Sequence, residues 1–330
     1  MNILSWVMVR LQILLSLLRS LRRAGAQPSA SAAADSVVCS ADGAPPMRTV
    51  QPVTVRPSGY QGSVLSFDQQ GTTRYACLHP PQQAVAAAHA NTQHQWPLLI
   101  YLHGSLTTPN SLYWFGRALF HLRHSYPLSS DPNVRGFMLL APEGRRANPW
   151  STDGPHTGVG FHWDEWYRNP TDNLDALAID HFVDAAIATG QVDRSRIYVF
   201  GWSNGAYMAA LYGVWRSDRI AAIAQYAGGD PWSRSPCPVP MQYRRQVPLV
   251  LLRNLCDALV PCATTSAWIA TLTEQGWPFT HYNLDLSGNI TTDSACDQHC
   301  SKIKGLYEHC RWPKKPALEQ MLHCLKQSTL

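Results

Sequence analysis

Arg196-Ile197-Tyr198-Val199-Phe200-Gly201-Trp202-Ser203-Asn204-Gly205-Ala206 runs from an apolar strand, through a serine bracketed by glycines, into a helical pattern that continues to Tyr212. A Gly-x-Ser-x-Gly pentapeptide between a strand and a helix marks a very sharp bend. Side chains two residues before and two residues after the serine would collide there, which explains Gly201 and Gly205. The bend holds the serine in a strained backbone conformation at the strand end. The following helix N-terminus turns its positive dipole end toward any negative charge that develops nearby. Ser203 is therefore the candidate nucleophile.

The segments on either side repeat the same alternation. Pro97 to Leu102, Phe137 to Ala141, Ile220 to Tyr226 and Val247 to Leu252 are continuous apolar runs, as expected of strands buried on both faces. Helical spacing appears over Leu174 to Ala188, Thr264 to Thr273 and Leu318 to Leu325. Val50 to Val55, Gly62 to Phe67 and Thr73 to Leu78 read as short alternating strands suited to an antiparallel edge. The predicted class is α/β, with a mostly parallel central sheet and helices on both faces. Function in such sheets gathers at the carboxyl ends of the strands.

Chemistry-bearing residues follow those strands. His103-Gly104-Ser105 succeeds Leu98 to Leu102, and Gly104 permits close backbone approach. The main-chain N–H groups of Ser105 and Asn204 are the expected donors to an oxyanion. His103 is read as a ring that pins this loop. Asp257 follows the Val247 to Leu252 strand and is the expected orienting carboxylate, the alternative being a loop Asp that caps the next helix. Four histidines come later. His281 falls in a strand over Phe279 to Leu286 and His323 in the last helix, which leaves His309 and His299 in the loop between them. His309 is the choice for the base, with His299 as the alternative. Cys256 precedes Asp257 and Cys310 follows His309, so a Cys256–Cys310 disulfide is the corresponding hypothesis.

Composition bounds the rest. The chain has 330 residues, 45% hydrophobic and 15% charged, which suits one large domain. Much of the net charge of +5 comes from Arg10, Arg19, Arg22 and Arg23, and the remaining body is too near neutral for a nucleic-acid footprint. Residues 1–26 read as a signal or targeting segment, 27–48 as a flexible linker, and 49–330 as the catalytic domain. Leu11 to Leu18 has the length of a secretory apolar core, and Ala24-Gly25-Ala26 offers a cleavage site. An Arg-rich, acid-free organellar transit peptide is the rival. Nine cysteines favour a secreted or periplasmic location. The Leu11 run is too short to span a bilayer. Cys296, Cys300, Cys310 and Cys324, with their neighbouring histidines, match no standard zinc spacing. No metal or cofactor is expected.

Leu102-His103-Gly104, Ala141-Pro142-Glu143-Gly144, Val192-Asp193-Arg194-Ser195-Arg196-Ile197-Tyr198-Val199, Gly201-Trp202-Ser203-Asn204-Gly205, Asp257-Ala258-Leu259-Val260-Pro261 and His309-Cys310-Arg311-Trp312-Pro313 together resemble the polyhydroxybutyrate depolymerase and feruloyl esterase group of α/β hydrolases. The resemblance extends over roughly residues 60 to 325 and is most specific around Ser203. It implies an α/β-hydrolase fold and carboxylic ester hydrolysis through an acyl-serine intermediate. The implied partner is a small-molecule or polymeric ester. Members usually have Gly-His at the base, where this chain has Glu308-His309. An acyltransferase, a serine peptidase and a non-catalytic binding protein of the same fold are the competing functions. Trp202 and Trp312 flank the proposed site and are expected to line a pocket. Trp163, in a cluster with Trp150, Phe161, Trp166 and Tyr167, is a candidate for an acyl- or aryl-binding wall or for a satellite core.

Overall fold

The computed structural model describes residues 39–49, 52–54, 56, 58–89, 94–147, 160–234, 237 and 239–330. The chain opens with β1 (Ser63–Gln69), β2 (Thr72–His79), α1 (Gln82–His89) and β3 (Trp96–Leu102). Two short helices, α2 (Ser111–Trp114) and α3 (Arg117–Leu122), lead to β4 (Met138–Pro142). A small hairpin of β5 (Arg145–Ala147) and β6 (Gly160–His162) precedes α4 (Leu174–Ala188). The central unit is β7 (Val192–Trp202), α5 (Asn204–Trp215) and β8 (Ala222–Tyr226). Then come α6 (Pro231–Arg234), β9 (Leu249–Asn254), α7 (Cys262–Glu274), β10 (Phe279–Leu284) and β11 (Ile290–Thr291). Two helices, α8 (Lys302–Cys310) and α9 (Lys315–Lys326), close the chain.

Among the described residues the main sheet has nine strands, in the order β1-β2-β4-β3-β7-β8-β9-β10-β11. From β4 to β10 neighbouring strands run parallel, and antiparallel pairs flank them on both sides. The apolar runs are buried on both faces because their alternate side chains enter two different cores. Leu98, Ile100, Leu102, Val199 and Leu251 pack with Ile179 and Phe182 of α4, Met208 of α5 and Trp268 of α7. Leu99, Tyr101, Phe200, Val250 and Leu252 face the other way, onto Leu119 of α3 and Leu318, Met321 and Leu325 of α9. Each such side chain contributes about 1.5–3 kcal/mol on burial.

α4 starts where Asn173 accepts the N–H groups of Asp175 and Ala176, both at 3.0 Å, so the side chain replaces missing intrahelical acceptors. Asp175 itself is buried and bonds Arg74 and Arg145, and Arg145 also reaches Asp164. This ion network joins β2, β5 and the segment after β6.

Two expectations fall partly outside the described residues. Of the expected strand Val50 to Val55, Pro52 to Thr54 are irregular, and Val50, Gln51 and Val55 lie outside the described residues. The Thr73 N–H donates to the Val53 carbonyl at 2.8 Å. Residues 1–26, expected to be a signal or targeting segment, lie outside the described residues, as does most of the expected linker. Within the stretch expected to be linker, residues 39–49 make bonds to the rest of the domain. Cys39 is bridged to Cys237, the Asp42 carbonyl accepts the Arg168 N–H at 2.7 Å, and the Met47 N–H bonds Asp164 at 2.6 Å. No helix among the described residues is long and apolar enough to cross a membrane.

Candidate active site

Ser203 sits between β7 and α5 with φ 58° and ψ −124°, in the left-handed region that side chains rarely adopt. Glycine is obligatory on either side of it. A methyl group at Gly201 would lie 1.9 Å from the Gly205 carbonyl oxygen, and one at Gly205 would lie 2.2 Å from the Leu102 carbonyl oxygen. The hairpin-like bend thus presses β7, α5 and the end of β3 together and leaves the serine hydroxyl facing outward.

Three expected residues meet there. The His309 Nε2 lies 2.9 Å from the Ser203 Oγ, and the His309 Nδ1 lies 2.7 Å from the Asp257 Oδ2. The other Asp257 oxygen accepts the N–H groups of Leu259 and Val260, each at 2.8 Å. Those two bonds fix the carboxylate, so its free oxygen receives Nδ1–H. The Nε2 lone pair then faces the serine hydroxyl. His309 and Asp257 are 3% and 5% exposed, so this chain of bonds is screened from competing water.

Asn204 follows the serine directly, and Ser105 follows Gly104 in the loop after β3. Asn204 is the first residue of α5, so its N–H has no intrahelical acceptor. The Gly104 carbonyl accepts Thr107 N–H (3.2 Å) and Thr107 Oγ1–H (2.7 Å). It also takes the His103 Nδ1–H at 2.9 Å, while the His103 Nε2 accepts the Gly144 N–H at 3.0 Å. Because the Gly104–Ser105 peptide is trans, three donors on its carbonyl aim the Ser105 N–H the opposite way. The Gly104 backbone also passes close to the serine, since a methyl added at Gly104 would stand 3.3 Å from the Ser203 Cβ. Burial, partly offset by the Gly104 bond, lowers the His103 pKa to about 4, so the ring is neutral and able to accept from Gly144. Sequence reasoning found His103 but missed Thr107, whose role depends on a turn that no residue pattern announces.

No family model matches the chain, and no curated protein matches it in sequence. Among solved structures, a thermostable esterase superposes over 81% of this chain with a TM-score of 0.50 at 20% identity. That match covers 63% of the esterase, so the chain spans less than two thirds of its length. A ferulic acid esterase superposes over 81% of this chain and 99% of its own, with a TM-score of 0.51 at 15% identity. The chain has an α/β-hydrolase fold.

The three tryptophans named as pocket candidates are buried. Trp163, Trp202 and Trp312 are 1%, 4% and 8% exposed, and all three are built into the frame around the site rather than left open as pocket walls. The Trp163 indole N–H donates to the His103 carbonyl at 2.9 Å, and its main-chain N–H and C=O bond both ends of the Asn204 amide. Trp202 donates from its indole to the His309 carbonyl at 3.1 Å. Trp312 packs among Tyr101, Phe200, Trp202 and Tyr226. Of the other clustered aromatics, Trp150 lies outside the described residues, Phe161 lies under the Arg146 guanidinium, and Tyr167 donates to Asp172.

Two further corrections concern the base. His309 lies at the end of a helix, α8, rather than in a loop. Ser301 caps that helix by accepting the Lys304 N–H at 3.2 Å. His299 is exposed in the turn before it, where its main-chain N–H bonds Asp297. The Cys256–Cys310 pairing does not occur. Cys256 pairs with Cys300, and Cys262 pairs with Cys296. Cys300 sits at the start of the segment that feeds α8, so the staple reaches the same two regions of the chain through a different residue.

Proposed function

We propose that the protein is a serine carboxylic ester hydrolase, with Ser203 as nucleophile, His309 as general base and acid, and Asp257 as the orienting carboxylate. The observation that carries this reading is the unbroken hydrogen-bond chain Ser203–His309–Asp257, assembled at a strained serine. His309 Nε2 takes the hydroxyl proton as Oγ attacks the ester carbonyl carbon. The main-chain N–H groups of Ser105 and Asn204 receive the charge that forms on the carbonyl oxygen. Removing one such donor typically costs about 3 kcal/mol of transition-state stabilisation. The tetrahedral adduct then expels the alcohol, which takes its proton from His309. Water repeats the sequence on the acyl-serine and releases the acid.

The substrate class in this reading is a polyhydroxyalkanoate-type, hydroxycinnamoyl or short-chain ester. Its support is the motif resemblance around Ser203, together with fold neighbours described as a thermostable esterase and a ferulic acid esterase. The three disulfides support maturation in an oxidising compartment, hence a secreted or periplasmic enzyme. The test is a panel of short-chain nitrophenyl, hydroxycinnamoyl and hydroxybutyrate esters offered to wild type and to Ser203→Ala. Wild type is expected to hydrolyse at least one class, and the variant to lose turnover by on the order of 10⁴-fold or more. Equal turnover by the two proteins would refute the proposal.

A further inference from the structure

The last turn of α8 carries His309 and has no glycine to close it; the cap residue, Arg311, is extended. The Arg311 N–H bonds the Glu308 carbonyl at 3.1 Å, and side chains from the sheet add further donors to the carbonyls at this end. The indole N–H of Trp202 donates to the His309 carbonyl at 3.1 Å. The side-chain amide of Asn254 donates to the Glu308 carbonyl at 2.8 Å and, with its second hydrogen, to the Tyr226 hydroxyl at 3.0 Å. The Tyr226 hydroxyl donates to the Arg311 carbonyl. These three residues are the final residues of β7, β8 and β9, which are adjacent in the sheet. All are buried.

Each also reaches back to another member of the triad. Trp202 is joined covalently to Ser203. The Tyr226 carbonyl accepts the Ser203 N–H at 3.0 Å, so one residue holds the serine backbone with its main chain and the α8 terminus with its side chain. Asn254 ends the strand that leads into the Asp257 loop. Satisfying buried carbonyls explains why donors are needed here. It does not explain why the three donors come from the strand ends that also set Ser203 and Asp257. We propose that Trp202, Tyr226 and Asn254 are positioning residues that fix the His309 backbone relative to the nucleophile and the acid. The proposal rests on the triad reading above and extends it.

The consequence is a defect in kcat rather than in substrate binding, since none of the three needs to touch the ester. The experiment compares Trp202→Phe, Tyr226→Phe and Asn254→Leu in the full, disulfide-bonded chain. Tyr126→Phe is the control, because the Tyr126 hydroxyl makes the same kind of bond to the Glu319 carbonyl of α9, which carries none of the triad. Kinetics on a nitrophenyl ester, melting temperature and the low-field proton NMR signal of the Nδ1–H to Asp257 bond are recorded for each. Tyr226→Phe keeps its ring in place, so it tests the bond even if Trp202→Phe, which also shrinks the ring, or Asn254→Leu fails to fold. Folded clamp variants are expected to lose about 10- to 100-fold in kcat, with KM within about twofold and the low-field signal weakened. Tyr126→Phe is expected to change none of these. Clamp variants with the kcat and low-field signal of the control would overturn the inference. If Ser203→Ala is inactive in that case, the triad reading still stands. If Ser203→Ala keeps full turnover, both fall.

Discussion

Ser203 occupies a backbone conformation that favours glycine, and such strain costs on the order of 1–3 kcal/mol. The structure holds it there from both sides, through the Gly201 and Gly205 contacts and the Tyr226 carbonyl. Ser203→Gly is therefore expected to abolish turnover and yet stabilise the fold by about 1 kcal/mol, because relief of strain outweighs the extra freedom of the unfolded chain. Thermal melts of Ser203→Gly against Ser203→Ala check this, and a lower melting temperature for the glycine variant would count against stored strain. The bend was fully legible in the sequence because its causes are local: an apolar strand, two glycines and a helix start within a few residues. Trp163, Trp202 and Trp312 were placed near the site by the same proximity. What their indoles bond was not legible, since His103 and His309 reach them only through the folded sheet.

At the scale of elements, the strand runs and α4 were readable because burial on two faces leaves a continuous apolar signature. α8 was not. Its sequence, Lys302-Ile303-Lys304-Gly305-Leu306-Tyr307-Glu308-His309-Cys310, has a glycine at its middle, which lowers intrinsic helix propensity. The glycine has a tertiary cause. A methyl group at Gly305 would stand 2.6 Å from the Ala258 main-chain nitrogen, so only glycine lets α8 lie against the Asp257 loop. Gly305→Ala is expected to gain helix propensity and still lower both melting temperature and kcat, the latter by about 10-fold or more, as α8 moves away from Asp257. Steady-state kinetics beside a melt would show it, and an unchanged kcat would mean the loop yields without disturbing His309. The cysteine pairing was equally hidden: Cys256, Cys262, Cys296, Cys300 and Cys310 all fall near the site, and adjacency to Asp257 and His309 selected the wrong partner for Cys256.

For the molecule as a whole, pH acts on groups that folding has removed from water. Burial pushes Glu143, at the end of β4, up to about 8, and its Oε2 has no hydrogen-bond partner among the described residues. A carboxyl raised in the folded state contributes stability that is complete below its ordinary value of about 4.5 and is lost as pH climbs through about 8. Burial lowers His79 to about 3 and His103 to about 4, so their contribution is complete above about 6.5 and is lost as pH falls. Glu143→Gln is expected to be no better than wild type at about pH 5 and progressively more stable than wild type toward about pH 9. A gap in melting temperature that stays constant over that range would contradict the assignment of Glu143 as neutral.

The Cys256–Cys300 bridge encloses the Cys262–Cys296 bridge, spanning 44 and 34 residues of chain. By loop-closure entropy either one alone is worth about 4 kcal/mol, and the outer adds less once the inner has closed most of its loop. The pair moors the arc bearing Asp257 to the approach to α8, while the parallel strands owe these bridges nothing. Recombinant material from a reducing bacterial cytosol would accordingly show the right circular dichroism and a wandering carboxylate. Preparations judged by solubility alone would then vary in specific activity with their thiol content, so export to an oxidising host, or a glutathione refolding buffer, belongs in any purification of this protein.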